Sequence, residues 1–140
     1  MKIKYVIGAV VLLLLILQLF PSNTSNPPVT AALKANPEVM KILKQSCYDC
    51  HSNETYWPWY SRVAPISYFV SNHVEDGRKH LNFSDWEKFD SDKKGKLSKK
   101  IIEEIEEGNM PLSSYKLLHP VADLSDSDIK MLKVWFGGKQ

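Results

Sequence analysis

The sequence predicts an all-helical domain. Apolar residues recur at three- and four-residue spacing in its regular segments, helix-opening signals stand in front of two of them, and no stretch alternates apolar with polar residues as a half-buried strand would.

The first element is apolar. Lys2 and Lys4 precede an uncharged run from Tyr5 to Phe20, in which Gln18 is the one strongly polar side chain. Residues 1–20 are therefore expected to form an N-terminal transmembrane or signal helix. Sixteen residues rise about 24 Å as a helix, short of the roughly 30 Å hydrocarbon core, so a crossing would borrow flanking residues or thin the bilayer. PSNTSNPP follows the run where signal peptidase would need small residues, and Val29-Thr30-Ala31, the nearest weak candidate, lies well downstream. This favours an uncleaved anchor, with the lysines inside and the rest of the chain outside the cytoplasm.

Residues 21–36, rich in Pro, Ser and Asn, are expected to be a flexible linker. The domain, 37–140, opens on a helix that Asn36 can cap, with Pro37 in its first turn, Glu38 at the positive end of the dipole, and Val39, Ile42, Leu43 and Cys47 along one face. A second helix is expected over about 66–78, and Ser84 can cap a short turn in HLNFSDW. A lysine-rich loop, KFDSDKKGKLSKK, then leads to a helix over 97–107 that Gly108 ends. Its charges run against the dipole, with Lys99 and Lys100 first and the glutamates last. The final helix opens on a capping box of Ser125 and Asp128, shows Ile129, Leu132, Trp135 and Phe136 on one face, and stops at Gly137-Gly138.

Eighteen basic against sixteen acidic residues leave a net charge of +2, which gives no broad basic field and argues against nucleic acid as a partner. The lysines at 88, 93, 94, 96, 99 and 100 are better read as a solvated face than as a docking patch.

The chemistry is concentrated in CYDCHSNETYWPWYSR, which holds the only two cysteines of the chain, Cys47 and Cys50, with His51 directly after the second. A disulfide across so short a loop would add little stability. A thioredoxin-type dithiol needs a βαβ context, and zinc needs a second close ligand pair, and both are missing. The remaining use is covalent attachment of one haem c, for which Cys-x-x-Cys-His is the signal. Residues i and i+3 of a helical turn project to one side, so Cys47 and Cys50 can each form a thioether on the same porphyrin edge. His51 then reaches the iron, its other ring nitrogen held by a backbone carbonyl expected near Pro65.

With CYDCHSNETYWPWYSRVAPIS, HLNFSDW, EEIEEGNMPLSSYKLLHP and LSDSDIKMLKVW, residues 37–136 resemble the small, mostly membrane-tethered bacterial haem-binding domain family of the cytochrome c class. The resemblance implies a cytochrome c-like helical fold, assembly outside the cytoplasm, one haem, and electron transfer with redox partner proteins. Met110, followed by Pro111, stands where such domains place a second axial ligand; His73, His80 and His119 compete with it, as does an open iron site. Trp57, Trp59, Tyr60 and Arg62, with Tyr56, are expected to line the cofactor or hold its propionates.

Two functions are consistent with these residues. One is an anchored monohaem cytochrome that carries single electrons and is not an enzyme. The other is a haem sensor or peroxidase-like enzyme with an open distal site, for which His73 or His80 would be the acid–base group.

Overall fold

A computed structural model describes residues 2–138; Met1, Lys139 and Gln140, the outer ends of the expected segments, lie outside it. The described residues contain α-helices and 3₁₀ turns and no strand, as the apolar spacing predicts. The α-helices are α1 (Lys2–Leu17), α2 (Pro37–Ser46), α3 (Tyr48–His51), α4 (Ile66–His80), α5 (Ser91–Glu106), α6 (Ser113–Leu118) and α7 (Asp126–Gly137), with 3₁₀ turns at Trp59–Arg62, Phe83–Lys88 and Pro120–Ala122.

Helix α2 starts where expected, because Asn36 Oδ1 accepts the Val39 N–H at 2.9 Å. It buries Val39, Ile42 and Leu43 in a core completed by Phe83, Trp86, Ile105, Leu132 and Phe136. Each such side chain contributes roughly 1.5–3 kcal/mol through the apolar surface it removes from water. Helix α7 closes this core against α2 and α5. Its capping box is complete: Ser125 Oγ accepts the Asp128 N–H, and Asp128 accepts the Ser125 N–H at 3.0 Å. Ser125→Ala is expected to cost about 1 kcal/mol. Urea titration checks this, and an unchanged midpoint would mean that the box is not formed in solution.

Several boundaries differ from the sequence expectation. Helix α5 begins at Ser91, because Asp90 Oδ1 caps it by accepting the Lys93 N–H at 2.8 Å. Most of the expected lysine-rich loop is therefore helix. Asp90 and Asp92 supply negative charge at its N-terminal end, so its charge order is less adverse than it looked. The turn at Phe83–Lys88 is capped by Asn82, not Ser84. Ser84 Oγ instead accepts the Asn53 N–H. Residues 21–36 have no regular structure, but they are not a free tether. Leu33 is buried in the core, Ala31 and Leu33 donate their N–H groups to Ser84 and Phe83, and Asn26 bonds to the loop after α3.

The N-terminal helix is present as α1, with no buried residue, and ends at Leu17. Among the described residues, no helix is long and apolar enough to cross a membrane. After Leu17 the chain tightens into three successive turn bonds, from the N–H groups of Gln18, Leu19 and Phe20 to carbonyls three residues back.

Candidate functional site

Helix α2 runs directly into the cysteine motif. The Cys47 N–H donates to Leu43 O, and Cys47 O accepts from both the Cys50 and His51 N–H groups, so one helical turn joins the three functional residues. Every position of that turn is held. Tyr48 points into the core and stacks on Phe83 with ring centroids 5.5 Å apart and planes 11° from parallel, worth about 0.5–1.5 kcal/mol beyond its buried area. Asp49 Oδ2 accepts the Tyr115 hydroxyl of α6 at 2.7 Å, and its Oδ1 accepts the Tyr56 N–H. Burial and this bond push the Tyr115 phenol far above its ordinary value, so it remains a donor. Ser52 Oγ donates back to Tyr48 O and closes the turn.

Helix α4 lies against this turn at backbone distance. An ideal Cβ on Gly77 would fall 2.5 Å from Cys50 O, so only glycine permits the approach. The approach brings two carbonyls to His51, whose Nδ1 lies 2.9 Å from Gly77 O and 3.1 Å from Leu81 O. Carbonyls only accept, so Nδ1 carries the proton and Nε2 keeps its lone pair for a metal. The acceptors are thus in the last turn of α4 and just past its end, not near Pro65 as the sequence suggested. Burial pulls the His51 pKa below its ordinary value, against the opposing effect of these two carbonyls. The neutral imidazole a metal requires is therefore favoured.

The thiols are free and half-buried. Burial, with a smaller effect from Cys50, pushes Cys47 up to about 12. Burial and the Asp49 carboxylate push Cys50 up to about 11, against a lowering effect of Arg78. Both stay protonated at neutral pH, unlike the low-pKa thiolate of a redox-active dithiol.

Two adjoining recesses of about 280 and 330 Å³ open over the turn. They share Ser46, Cys47, His51, His80, Met110 and Pro111, and their walls are largely apolar. Together they fall within the roughly 300–1,000 Å³ typical of cofactor sites. The first recess is also lined by Cys50, His73, Gly77 and Tyr115, among others, and the second by Phe83, Ile101, Ile105 and Leu124, with Lys100 and Glu104 at its wall. Met110 is placed by the end of α5. Gly108 takes φ +72, a left-handed conformation that suits glycine, and the Asn109 and Met110 N–H groups both donate to Glu104 O.

Other expected site residues lie elsewhere. His119 stacks on Tyr115, and both its ring nitrogens are engaged, with Tyr60 Oη and with Tyr115 O, each at 3.2 Å. Trp57 donates Nε1–H to Asn26 Oδ1 and lies under Arg78. Trp59 is exposed beside Tyr60, and Arg62 is exposed on the same 3₁₀ turn. Trp57, Trp59, Tyr60 and Arg62 are absent from the walls of both recesses. Most of the lysine run is paired internally, Lys88 with Asp85, Lys94 with Glu87, Lys96 with Asp92 and Lys100 with Glu104, which agrees with a solvated face.

Arg78 was not foreseen. Its Nε–H donates to Ser52 O at 2.7 Å, and its terminal nitrogens reach Ser25 O, Asn26 Oδ1 and Thr55 Oγ1, so it ties α4, the loop after α3 and residues 25–26 together. The one local clue was its position beside Gly77.

Among the described residues, no three His, Cys, Asp or Glu side chains stand together as a metal-binding group. The set that is present suits a porphyrin: an apolar recess, a free imidazole nitrogen fixed in tautomer, two thiols on one turn and a thioether on the wall. No curated protein and no solved structure matches the chain. A family model described as the haem-binding domain matches residues 10–137, and the chain belongs to that haem-binding domain family.

Proposed function

We propose that the protein is a monohaem c-type cytochrome that transfers single electrons outside the cytoplasm, held at a membrane by α1, and that it is a carrier and not an enzyme. The reading is supported chiefly by one observation: Cys47, Cys50, His51 and Met110 all border one recess, and the bonds from Nδ1 leave His51 Nε2 as the ligating nitrogen.

Each residue then has a defined task. Cys47 and Cys50 would hold the haem through one thioether each, their S–H groups adding across vinyl groups with no net oxidation. His51 would ligate the iron through Nε2, with Gly77 O and Leu81 O holding its ring and raising its donor strength. Met110 would supply a second ligand to the iron, from a loop fixed through Glu104 O. Bound haem supplies a one-electron iron couple. The apolar walls limit water at the iron and so help set its potential. Lys2 and Lys4 orient α1 with the domain on the outer face, where covalent attachment takes place, and redox partner proteins exchange electrons there.

The test is the full chain produced together with haem-attachment machinery. Its pigment is expected to stay with the protein in acidified acetone and to cycle reversibly between oxidised and reduced forms; pigment that extracts would refute covalent attachment. Met110→Ala is expected to lose the low-spin histidine–methionine spectrum and to lower the reduction potential, because a thioether ligand favours ferrous iron. An unchanged spectrum would move the sixth ligand to a histidine.

A second reading, a haem sensor or peroxidase-like enzyme with an open distal site, has one observation in its favour: His73, Asp76 and His80 border the same recess. Rapid binding of carbon monoxide by the reduced wild type would select it.

A further inference from the structure

Two features take no part in holding the haem site. One is Gln18, the one strongly polar side chain of the apolar N-terminal run. Its amide pairs with one backbone unit of the domain in both directions, Nε2 donating to Ala64 O and Oε1 accepting the Ala64 N–H, each at 3.0 Å. Beside it, Tyr68 Oη lies within hydrogen-bonding distance of Leu17 O and Phe20 O. The end of α1 is thus fastened to residues 64 and 68 by its own amide and a tyrosine. The turn bonds of Gln18, Leu19 and Phe20 leave no slack between them.

The other feature is the surface around that junction. Leu19, Phe20, Trp59, Val63, Ile66 and Phe69 flank it in the chain, and all are exposed, Trp59 at 77% and Phe69 at 67%. Arg62 is exposed among them, while the acidic residues of α4, Glu75 and Asp76, lie in its second half. Apolar side chains with aromatic rings and a basic residue, next to the end of an apolar helix, have the composition of a membrane–water interface.

We infer that these side chains form a collar seated in the outer interface of a phospholipid bilayer, continuous with the lipid-facing surface of α1, and that Gln18 is the latch that fixes the domain to the helix. The inference rests on the membrane reading of α1 proposed above. It also meets that reading's main difficulty. Sixteen helical residues rise about 24 Å against a hydrocarbon core of roughly 30 Å. A collar sunk into the interface supplies apolar depth that the helix lacks. The latch also gives the haem recess a fixed height and orientation over the bilayer, where a loose tether would let it wander.

The test uses the full-length holoprotein in phosphatidylcholine–phosphatidylglycerol vesicles, with the photocrosslinker benzoylphenylalanine replacing Trp59, Phe69 or, as a control, Val134 on α7, which is 71% exposed. Flotation reports on the anchor and mass spectrometry on lipid adducts. Positions 59 and 69 are expected to give at least about tenfold more adduct than position 134. A chain that floats with no excess at 59 and 69 overturns the collar and leaves the anchor standing. A chain that does not float overturns both. Gln18→Leu is expected to float yet lose more than half of the adduct at position 69, and an undiminished yield there would overturn the latch.

Discussion

Gly77→Ala is expected to destabilise the protein and to cut the yield of haem-loaded product sharply. At an ordinary position inside a helix, the substitution would stabilise by up to about 1 kcal/mol, because alanine loses less backbone entropy on folding. At position 77 the new methyl would stand 2.5 Å from Cys50 O and 3.1 Å from its carbonyl carbon. Those are backbone atoms and have no rotamer to turn aside. Helix α4 must move off the cysteine turn, at the roughly 1–3 kcal/mol typical of overpacking. The same movement draws Gly77 O and Leu81 O away from His51 Nδ1, so tautomer control weakens with packing. Gly95, inside α5, has nothing within 4 Å of an ideal Cβ and provides the control. Gly95→Ala is expected to raise the unfolding midpoint while Gly77→Ala lowers it. The pair is read by thermal unfolding together with haem absorbance per milligram of protein. Equal behaviour at the two positions would mean that the α3–α4 approach is looser than the structure has it.

The contrast between these glycines is invisible in the sequence, and the same holds for much of the site. Signals contained within five residues were legible. Asn36-Pro37 and Ser125 with Asp128 open α2 and α7 as expected, and the haem to which Cys47, Cys50 and His51 point agrees with the haem-binding family of the chain. Helix α5 started earlier than expected because a run of lysines next to an N-terminus argues against a helix there, unless Asp90 is recognised as the cap. Helix α6 carries no side-chain cap, since Leu112 precedes it, and so left no signal. What escaped altogether was non-local. The His51 acceptor depends on how α4 crosses α3, and proximity in sequence does not tell which aromatic residues behind the motif reach the recess. Trp57 is instead drawn toward Asn26 and Arg78. The linker was misjudged for a related reason. Its composition suits a flexible chain, yet Leu33 is buried and Asn26 answers Arg78 from fifty-two residues away.

Replacing both thiols, Cys47→Ala with Cys50→Ala, is expected to release all of the pigment into acidified acetone, while either single variant keeps it on the protein through one remaining thioether. The more discriminating effect is on stability. A group joined by covalent bonds cannot dissociate, so the unfolding midpoint of the wild type should not depend on added haem. In the double variant, His51 and the apolar recess still offer a site, but occupancy becomes a binding equilibrium. Stability then rises with free haem as RT ln(1 + [L]/Kd), about 2.7 kcal/mol at a hundredfold excess over Kd. The midpoint of the double variant should therefore climb with haem concentration from that of the apoprotein, and the wild type should stay level at the upper end. A wild type that follows the same rising curve would show that its cysteines do not carry the cofactor. A double variant that stays flat at the apoprotein value would show that the thioethers, and not His51 with the recess, supply nearly all of the hold on haem.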